Sequence, residues 1–287
     1  MKRQNKRYQQ SIEKVCNHIY RHLDDSLDVE QLSEVAHFSK FHFHRLFLNA
    51  MGINVFQFVQ LLRLKRASYQ LVFHQEKRIT DIAFEAGYDS HESFSRAFKK
   101  RFGQSPKAFR QNPIWADWHE HYQFKPTRGQ TKMEAEIIHF PEMKIAVMEH
   151  RGHPDKLNDS VSQFIAWRKE TGLSPVTHSR SFGLAYDDPN VVQPENFRFD
   201  LCGEVQGEIP ANSYGIINKT IPGGRCVKIR HYGSHDDMDE TVYYLYRNWL
   251  AENNETPRDF PCFFEYINFF PEVAEHELIT DVYLPLA

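Results

Sequence analysis

The chain has 287 residues, 41% of them hydrophobic and 25% charged, enough for two separate cores. Its net charge of −3 hides an asymmetry: residues 1–128 hold 21 Lys+Arg against 13 Asp+Glu (+8), and the remainder 14 against 25 (−11). A basic first half suits a polyanionic partner, and an acidic second half excludes a protein that coats nucleic acid along its whole length. Four widely spaced cysteines without a CxxC pair exclude a disulfide framework and a cysteine zinc site. No apolar stretch of membrane-spanning or signal-peptide kind follows the basic start MKRQNKRYQQ, so the expected location is the cytoplasm, with no membrane partner and no cofactor.

From Tyr8 to Leu23, Ile12, Val15, Ile19 and Leu23 recur at helical spacing, and the Asp24-Asp25-Ser26 break should end that helix. Leu27 to Gly52 then reads as two short helices joined by a turn. Phe43, Leu46, Phe47 and Ala50 are expected to face a core, with Phe41, His44, Arg45 and Leu48 outward. Val55 to Val72 is a long helical pattern that carries Arg63, Lys65 and Arg66. Arg78 to Arg110 repeats the hairpin: Ile79, Ile82, Ala83 and Ala86 form one apolar stripe, Gly87 supplies a turn, Ser90 caps, and Phe94, Ala97, Phe98 and Phe102 form a second stripe. Leu32 corresponds to Ile82 at an offset of 50, and Ser39, Arg45, Phe47 and Gly52 to Ser90, Arg96, Phe98 and Gly103 at 51. One such hairpin is an ordinary helical pair with a solvated face. Two copies, each with a capping Ser and an outward Arg at the same place, held by one basic helix, fit a pair of major-groove readers, whose successive faces lie ~34 Å apart.

LRLKRA followed by ITDIAFEAGYDSHESFSRAFKKRFGQSPKAFR resembles the DNA-binding region of the AraC/XylS family of transcription regulators, over about Tyr8 to Arg110. The resemblance implies base-reading positions at Phe41, His44 and Arg45 in the first unit, and at His91, Glu92, Ser95 and Arg96 in the second. Their chemistry agrees: Arg chelates guanine, Glu accepts from cytosine, and Phe meets a thymine methyl. Lys40, Lys99, Lys100 and Lys107 are assigned to phosphate, which sets affinity and salt dependence without reading sequence. His42 and His44 stand two apart and diverge on a helix, so no metal site is read there.

Residues 113–132 have two prolines, a glycine and no sustained period, and are expected to link a DNA-binding domain at 1–112 to a second domain at 133–287. Trp115, Trp118 and Tyr122 are too apolar for a free tether and should pack on a neighbouring domain. In the second domain AVMEHRGHPDKLNDSVSQF parallels CVKIRHYGSHDDMDETVYY at an offset of 81, pairing His150 with His231, Gly152 with Gly233 and Asp155 with Asp236. The fold expected is α+β: two β-α-β-β repeats related by a pseudo-twofold, one antiparallel sheet with helices on one face, and the other face or a central groove left for a ligand.

The anomaly in this half is Glu265, a carboxylate inside the aromatic run Phe263-Phe264-Glu265-Tyr266. It counters a lipophilic cation with help from aromatic faces, or lies on a solvated outward face of the strand, or pairs structurally with an arginine such as Arg225 or Arg230. IPGGRCVKIRHYG, AYDDP, RFDLCGEV and FEYI resemble the GyrI-like small-molecule-binding domain of drug-responsive regulators. That resemblance implies an effector site at Glu265, walled by Tyr186, Trp167, Phe182 and Tyr266, although strand alternation sets Tyr266 on the opposite face. Together the two domains resemble Rob-type regulators. They imply an activator without catalytic residues whose partners are double-stranded promoter DNA, RNA polymerase and a small effector. The alternatives for the second domain are a hydrolase of small electrophiles, against which the absence of a nucleophile–base motif counts, and a protein-binding module.

Overall fold

Ile12, Val15, Cys16 and Ile19 line the buried side of α1 (Lys2–Arg21), the first element of a computed structural model that describes residues 2–115 and 133–287, leaving aside the side chains of residues 2–10, Phe41 and Asn49. The chain folds as two compact units, an N-terminal helical one and a C-terminal one built on a sheet. Trp118 and Tyr122 lie outside the described residues.

In the helical unit, α2 (Val29–Val35) and α3 (Lys40–Met51) make the first hairpin, and α5 (Ile79–Glu85) and α6 (His91–Phe102) the second. Between them runs α4 (Val55–Phe73), and α7 (Pro106–Gln111) closes the unit. The two halves of α4 serve different cores. Val55, Phe58, Val59 and Leu62 pack with α1, Phe43 and Phe47, while Leu64, Ala67, Leu71 and Val72 pack with Ile82, Phe94, Phe98 and Phe109. The second core extends to Trp115, which is 2% exposed and 5.2 Å from the Phe109 ring. It therefore runs three residues past the expected boundary at 112, because Trp115 finds the Phe109, Tyr69 and Phe73 rings there.

Local chemistry sets the helix ends. The Ser39 hydroxyl accepts from the His42 amide at the start of α3, and the Ser90 hydroxyl from the Ser93 amide at 3.1 Å at the start of α6; Gly52 (φ 72°) and Gly103 (φ 69°) end those helices in the left-handed region. The two inner turns differ. The second has Gly87 at φ 77°, whereas the first puts His37 in the same left-handed conformation, φ 57°. A Cβ on Gly87 would also stand 2.5 Å from Nη1 of Arg63.

The C-terminal unit is one antiparallel sheet of β1 (Ala135–Phe140), β2 (Met143–Arg151), β3 (Ser181–Ala185), β4 (Arg198–Glu204), β5 (Ile217–Ile221), β6 (Gly224–Tyr232), β7 (Cys262–Tyr266) and β8 (Ile279–Pro285), ordered β1-β6-β8-β7-β3-β4-β2-β5. The helix α8 (Leu157–Thr171) follows β2. Its repeat mate α9 (Met238–Tyr244) follows β6 and continues through a π-helical turn (Leu245–Trp249) into α10 (Leu250–Asn253). The pseudo-twofold passes through the β3–β7 seam, where Gly183 faces Phe264, its partner at the 81-residue offset. Each repeat carries one strand more than β-α-β-β, and that strand is exchanged: β1 hydrogen-bonds to β6 and β5 to β2. Both helical segments cover one face, where Phe164, Trp167, Leu245 and Trp249 bury Val227, Ile229, Phe264 and Val282. The opposite face is filled by its own side chains, Phe140, Phe182, Phe263 and Tyr283 in mutual ring contact.

The paired histidines are structural. His150 and His231 are buried, and each bridges its β-to-α turn: His150 from the His153 carbonyl to the Ser160 hydroxyl, His231 from the Ser234 carbonyl to the Thr241 hydroxyl. A carbonyl only accepts, so Nε2 donates to it and the neutral ring accepts at Nδ1. Burial pushes the His150 pKa below its ordinary value.

Gly87→Ala should lower unfolding stability by about 1–2 kcal/mol, the cost of a left-handed non-glycine residue, and by more than Gly52→Ala, which has open space around it. Urea titration of the full chain measures both. For His150 the depressed folded pKa means that its stabilising contribution is present above the unfolded pKa of about 6.5 and is lost as pH falls through the folded value. Melting temperature should therefore fall between pH 7 and 5.5, and less steeply in His150→Gln.

Candidate nucleic-acid interface and effector site

Helical periodicity leaves one face of α3 and one of α6 outside the two cores. On α3 the exposed residues include Lys40, His44, Arg45 and Leu48, with Phe43 and Phe47 fully buried behind them; Ala50, expected inside, is exposed, while Met51 beside it packs on the core. The side chain of Phe41 lies outside the described residues. On α6, His91, Glu92, Arg96, Lys99 and Lys100 are exposed and Ser95 is half-buried, above buried Phe94, Phe98 and Phe102. Hydrogen bonds from its own amide and from Ser90 hold the Glu92 carboxyl below the usual carboxylate range, so it is an ionised acceptor at the first turn of α6. Lys40 forms an exposed pair with Glu30 at 2.5 Å, and Lys107 stands exposed on α7.

The basic residues of α4 have a different use from that of groups facing a duplex. Arg63 donates to the carbonyls of Leu23 and Asp25, both at 2.9 Å, and Arg66 donates to the Glu85 carbonyl at 3.0 Å and to the Asp24 carboxylate. Lys65 is 6% exposed. These arginines fasten the α1–α2 turn and the first helix of the second hairpin to the shared helix through their carbonyls.

In the second unit, Glu265 on β7 lies on the sheet face away from the helices, directly across from Phe182 of β3 and Asp281 of β8. Its carboxylate is gripped at both oxygens by Arg180, Nε to Oε1 at 2.6 Å and Nη2 to Oε2 at 2.7 Å, and receives the Tyr283 hydroxyl at 2.9 Å. The guanidinium carbon sits 5.3 Å from the Phe140 ring centroid and 5.0 Å from that of Phe182. Neither arginine expected to pair with Glu265 does so. Arg225 binds Glu255 in the loop that follows α10, and Arg230 forks onto Asp281 at 2.7 and 2.8 Å, its direct cross-strand partner. The hydrogen bonds to Glu265 raise the Arg180 pKa further, and burial, then Glu265, raises that of Tyr283, so both stay protonated.

Three of the four expected walls are placed elsewhere. Trp167 is fully buried on the helix-covered face, with the sheet between it and Glu265. Tyr266 is on that face too, packed on His235 at 5.1 Å, as strand alternation requires. Tyr186 shares the face of Glu265, but its hydroxyl donates to Asp200 at 2.9 Å, in a cluster where Arg151 and Lys219 also hold Asp200. Burial, and then Asp200, pushes the Tyr186 pKa up to about 12. Phe182 remains, joined by Phe140 and Tyr283, which the sequence did not single out.

Residues 133–287 match the family described as the GyrI-like small molecule binding domain. The chain belongs to that family. Residues 32–112 match a helix-turn-helix domain, of AraC type. Among relatives, the chain is 48% identical over 155 residues to the probable transcriptional regulator YgiV of Escherichia coli (strain K12), spanning 54% of this chain and 97% of that protein. It is 38% identical over 103 residues to the uncharacterized HTH-type transcriptional regulator YbfP of Bacillus subtilis (strain 168), spanning 36% of this chain and 35% of that one. Of solved structures, the cryo-EM structure of an EcmrR–DNA complex aligns over 90% of this chain and 98% of that one at 18% identity and a TM-score of 0.46. The protein is a transcriptional regulator that joins an AraC-type helix-turn-helix domain to a GyrI-like domain.

Within the GyrI-like domain the pseudo-twofold maps Phe182 onto Phe263 and Asp200 onto Asp281, but Glu265 onto Leu184. The 81-residue alignment held that signal: an acid in one copy stands where the other has an aliphatic residue. Arg180 had no such signal, since it is 85 residues from Glu265 and only strand pairing brings them together. Removing either partner is unequal. Arg180→Met leaves a carboxylate that is about a tenth exposed without its cation, and should cost about 2–3 kcal/mol, at the low end for a broken buried pair because Arg180 itself is a third exposed. Glu265→Gln should cost less, and the double variant should recover most of the loss; a double-mutant cycle in denaturant reads the coupling.

Proposed function

We propose that this regulator reads DNA through the exposed faces of α3 and α6, with Phe41, His44 and Arg45 on one and His91, Glu92, Ser95 and Arg96 on the other meeting base edges. Lys40, Lys99, Lys100 and Lys107 meet phosphates; for Lys40 this means exchanging Glu30, an exposed partner held weakly in water. The observation that carries the reading is the architecture of α4. One rigid helix supplies both cores, so the two reader helices keep a fixed separation, as two successive turns of one duplex face demand.

The GyrI-like domain in this reading answers a small lipophilic cation at the Glu265 face. A carboxylate flanked by Phe140 and Phe182 and steadied by Tyr283 joins charge to two aromatic faces, the chemistry such cations need. Effector binding changes DNA or polymerase affinity only by the difference in its own affinity for the two states of the regulator, so the coupling is reciprocal. The role that fits is that of an activator on double-stranded promoter DNA, with RNA polymerase as its partner.

Selection of DNA from a random pool tests the reading. The wild type should enrich one asymmetric site with two half-sites about one turn apart. Arg45→Ala, Arg96→Ala should lose discrimination at one position in each half-site, about 1–3 kcal/mol per guanine contact. An unchanged enriched site in the double variant would remove the base-reading assignment.

A further inference from the structure

We propose that Arg180 is a stand-in for the effector carried by the chain itself, and that the effector is a planar, N–H-bearing cation of the amidinium or guanidinium class joined to an aromatic group. The inference rests on the Glu265 reading above and narrows it. The seat is already a complete cation site: two carboxylate oxygens at 2.6 and 2.7 Å from the fork, and Phe140 and Phe182, each 1% exposed, about 5 Å from the guanidinium carbon. What fills it belongs to the chain but not to the repeat. At the 81-residue offset Glu265 answers to Leu184 and Arg180 to Pro261, so the other copy folds the same strands without this pair. A pair dispensable in one half of a symmetric fold is free to serve a ligand in the other.

Release needs no refolding. The Arg180 backbone is fixed by the Glu204 amide, which donates to its carbonyl at 2.9 Å, and by its own amide, which donates to the Glu204 carboxylate at 3.2 Å. The side chain is 34% exposed while that of Glu265 is 10% exposed, so rotation about side-chain bonds carries the guanidinium out to water. The carboxylate then needs a replacement for two short hydrogen bonds. An amidinium fork supplies both in one plane, whereas a quaternary ammonium has no N–H and leaves the buried carboxylate with the Tyr283 hydroxyl but nothing in place of the two fork hydrogen bonds. An occupied seat also lowers apparent affinity by the fraction of time it is open.

The test is calorimetric titration of the full chain with biphenyl-4-carboxamidine and with benzyltrimethylammonium. The wild type should bind the amidine weakly, Arg180→Met at least tenfold more tightly, and Arg180→Met, Glu265→Gln should lose that gain, with the ammonium bound much more weakly throughout. Equal amidine affinity in the wild type and Arg180→Met overturns the stand-in role while leaving a cationic effector in place. Preference for the ammonium overturns the ligand class. No binding of either cation by folded wild type and Arg180→Met removes the cationic effector reading itself. If Arg180→Met does not fold, the wild type still decides: saturating amidine should shift the Arg180 Nε–H resonance and speed its exchange with water, and a resonance unmoved by bound amidine overturns the proposal.

Discussion

Neither half of either repeat can bury its own apolar face, and the whole chain is arranged around that constraint. A two-helix hairpin such as α2–α3 leaves Phe43 and Phe47 needing a third surface, and α4 gives it along one stretch while giving the other hairpin a second stretch. A single β-α-β-β unit has the same deficit at the edge of its sheet, and the exchange of β1 and β5 makes up the difference. Both units are duplications held by an element that belongs to both copies, so the geometry between copies is fixed by covalent continuity or by strand register rather than by a separable interface.

Where the copies stop matching, the chain has something particular to do. The first hairpin carries His37 where the second needs Gly87 under Arg63, and the first reader face is histidine-rich where the second has Glu92, Lys99 and Lys100. In the sheet the breach is sharper. Asp200 and Asp281 are acids in both copies, but Arg180 and Glu265 have Pro261 and Leu184 as their twofold mates. Asp200, Glu265 and Asp281 on this face each hold a cation, and at Glu265 that cation lies beside two rings, Phe140 and Phe182.

Local features were legible in the sequence because they depend on neighbours in the chain. The stripes at helical spacing, the capping of α3 and α6 by Ser39 and Ser90, the left-handed Gly87 and the 81-residue repeat all follow from short-range rules. Glu265 was legible as an anomaly for the same reason. Its partner was not: Arg225 and Arg230 stood closer in sequence, and the register that sets Arg230 against Asp281, like the loop that brings Glu255 to Arg225, is a property of the assembled domain. Trp167 was misplaced because a helix stripe says which side of the helix is apolar, and not which face of a sheet it will cover. The arginines of α4 were legible only as basic residues on the helix between the hairpins; their partners, the carbonyls of Leu23, Asp25 and Glu85, are brought to them by the folded unit.

The exchanged strands bear on how the domain comes into being. β1 has its hydrogen-bond partner in β6, so Ile138 waits for Cys226, and β2 cannot complete its outer edge until Lys219 arrives opposite Ile145. The first repeat leaves the ribosome with open edges and an uncovered aromatic face, and closure comes only when β8 joins β6 to β7 near the end of the chain. Such long-range pairings make folding slow and nearly all-or-none, with the half-made sheet the species most exposed to misassembly. The N-terminal helices have no comparable wait. A nascent chain would thus hold a formed DNA reader before it has any means of sensing an effector.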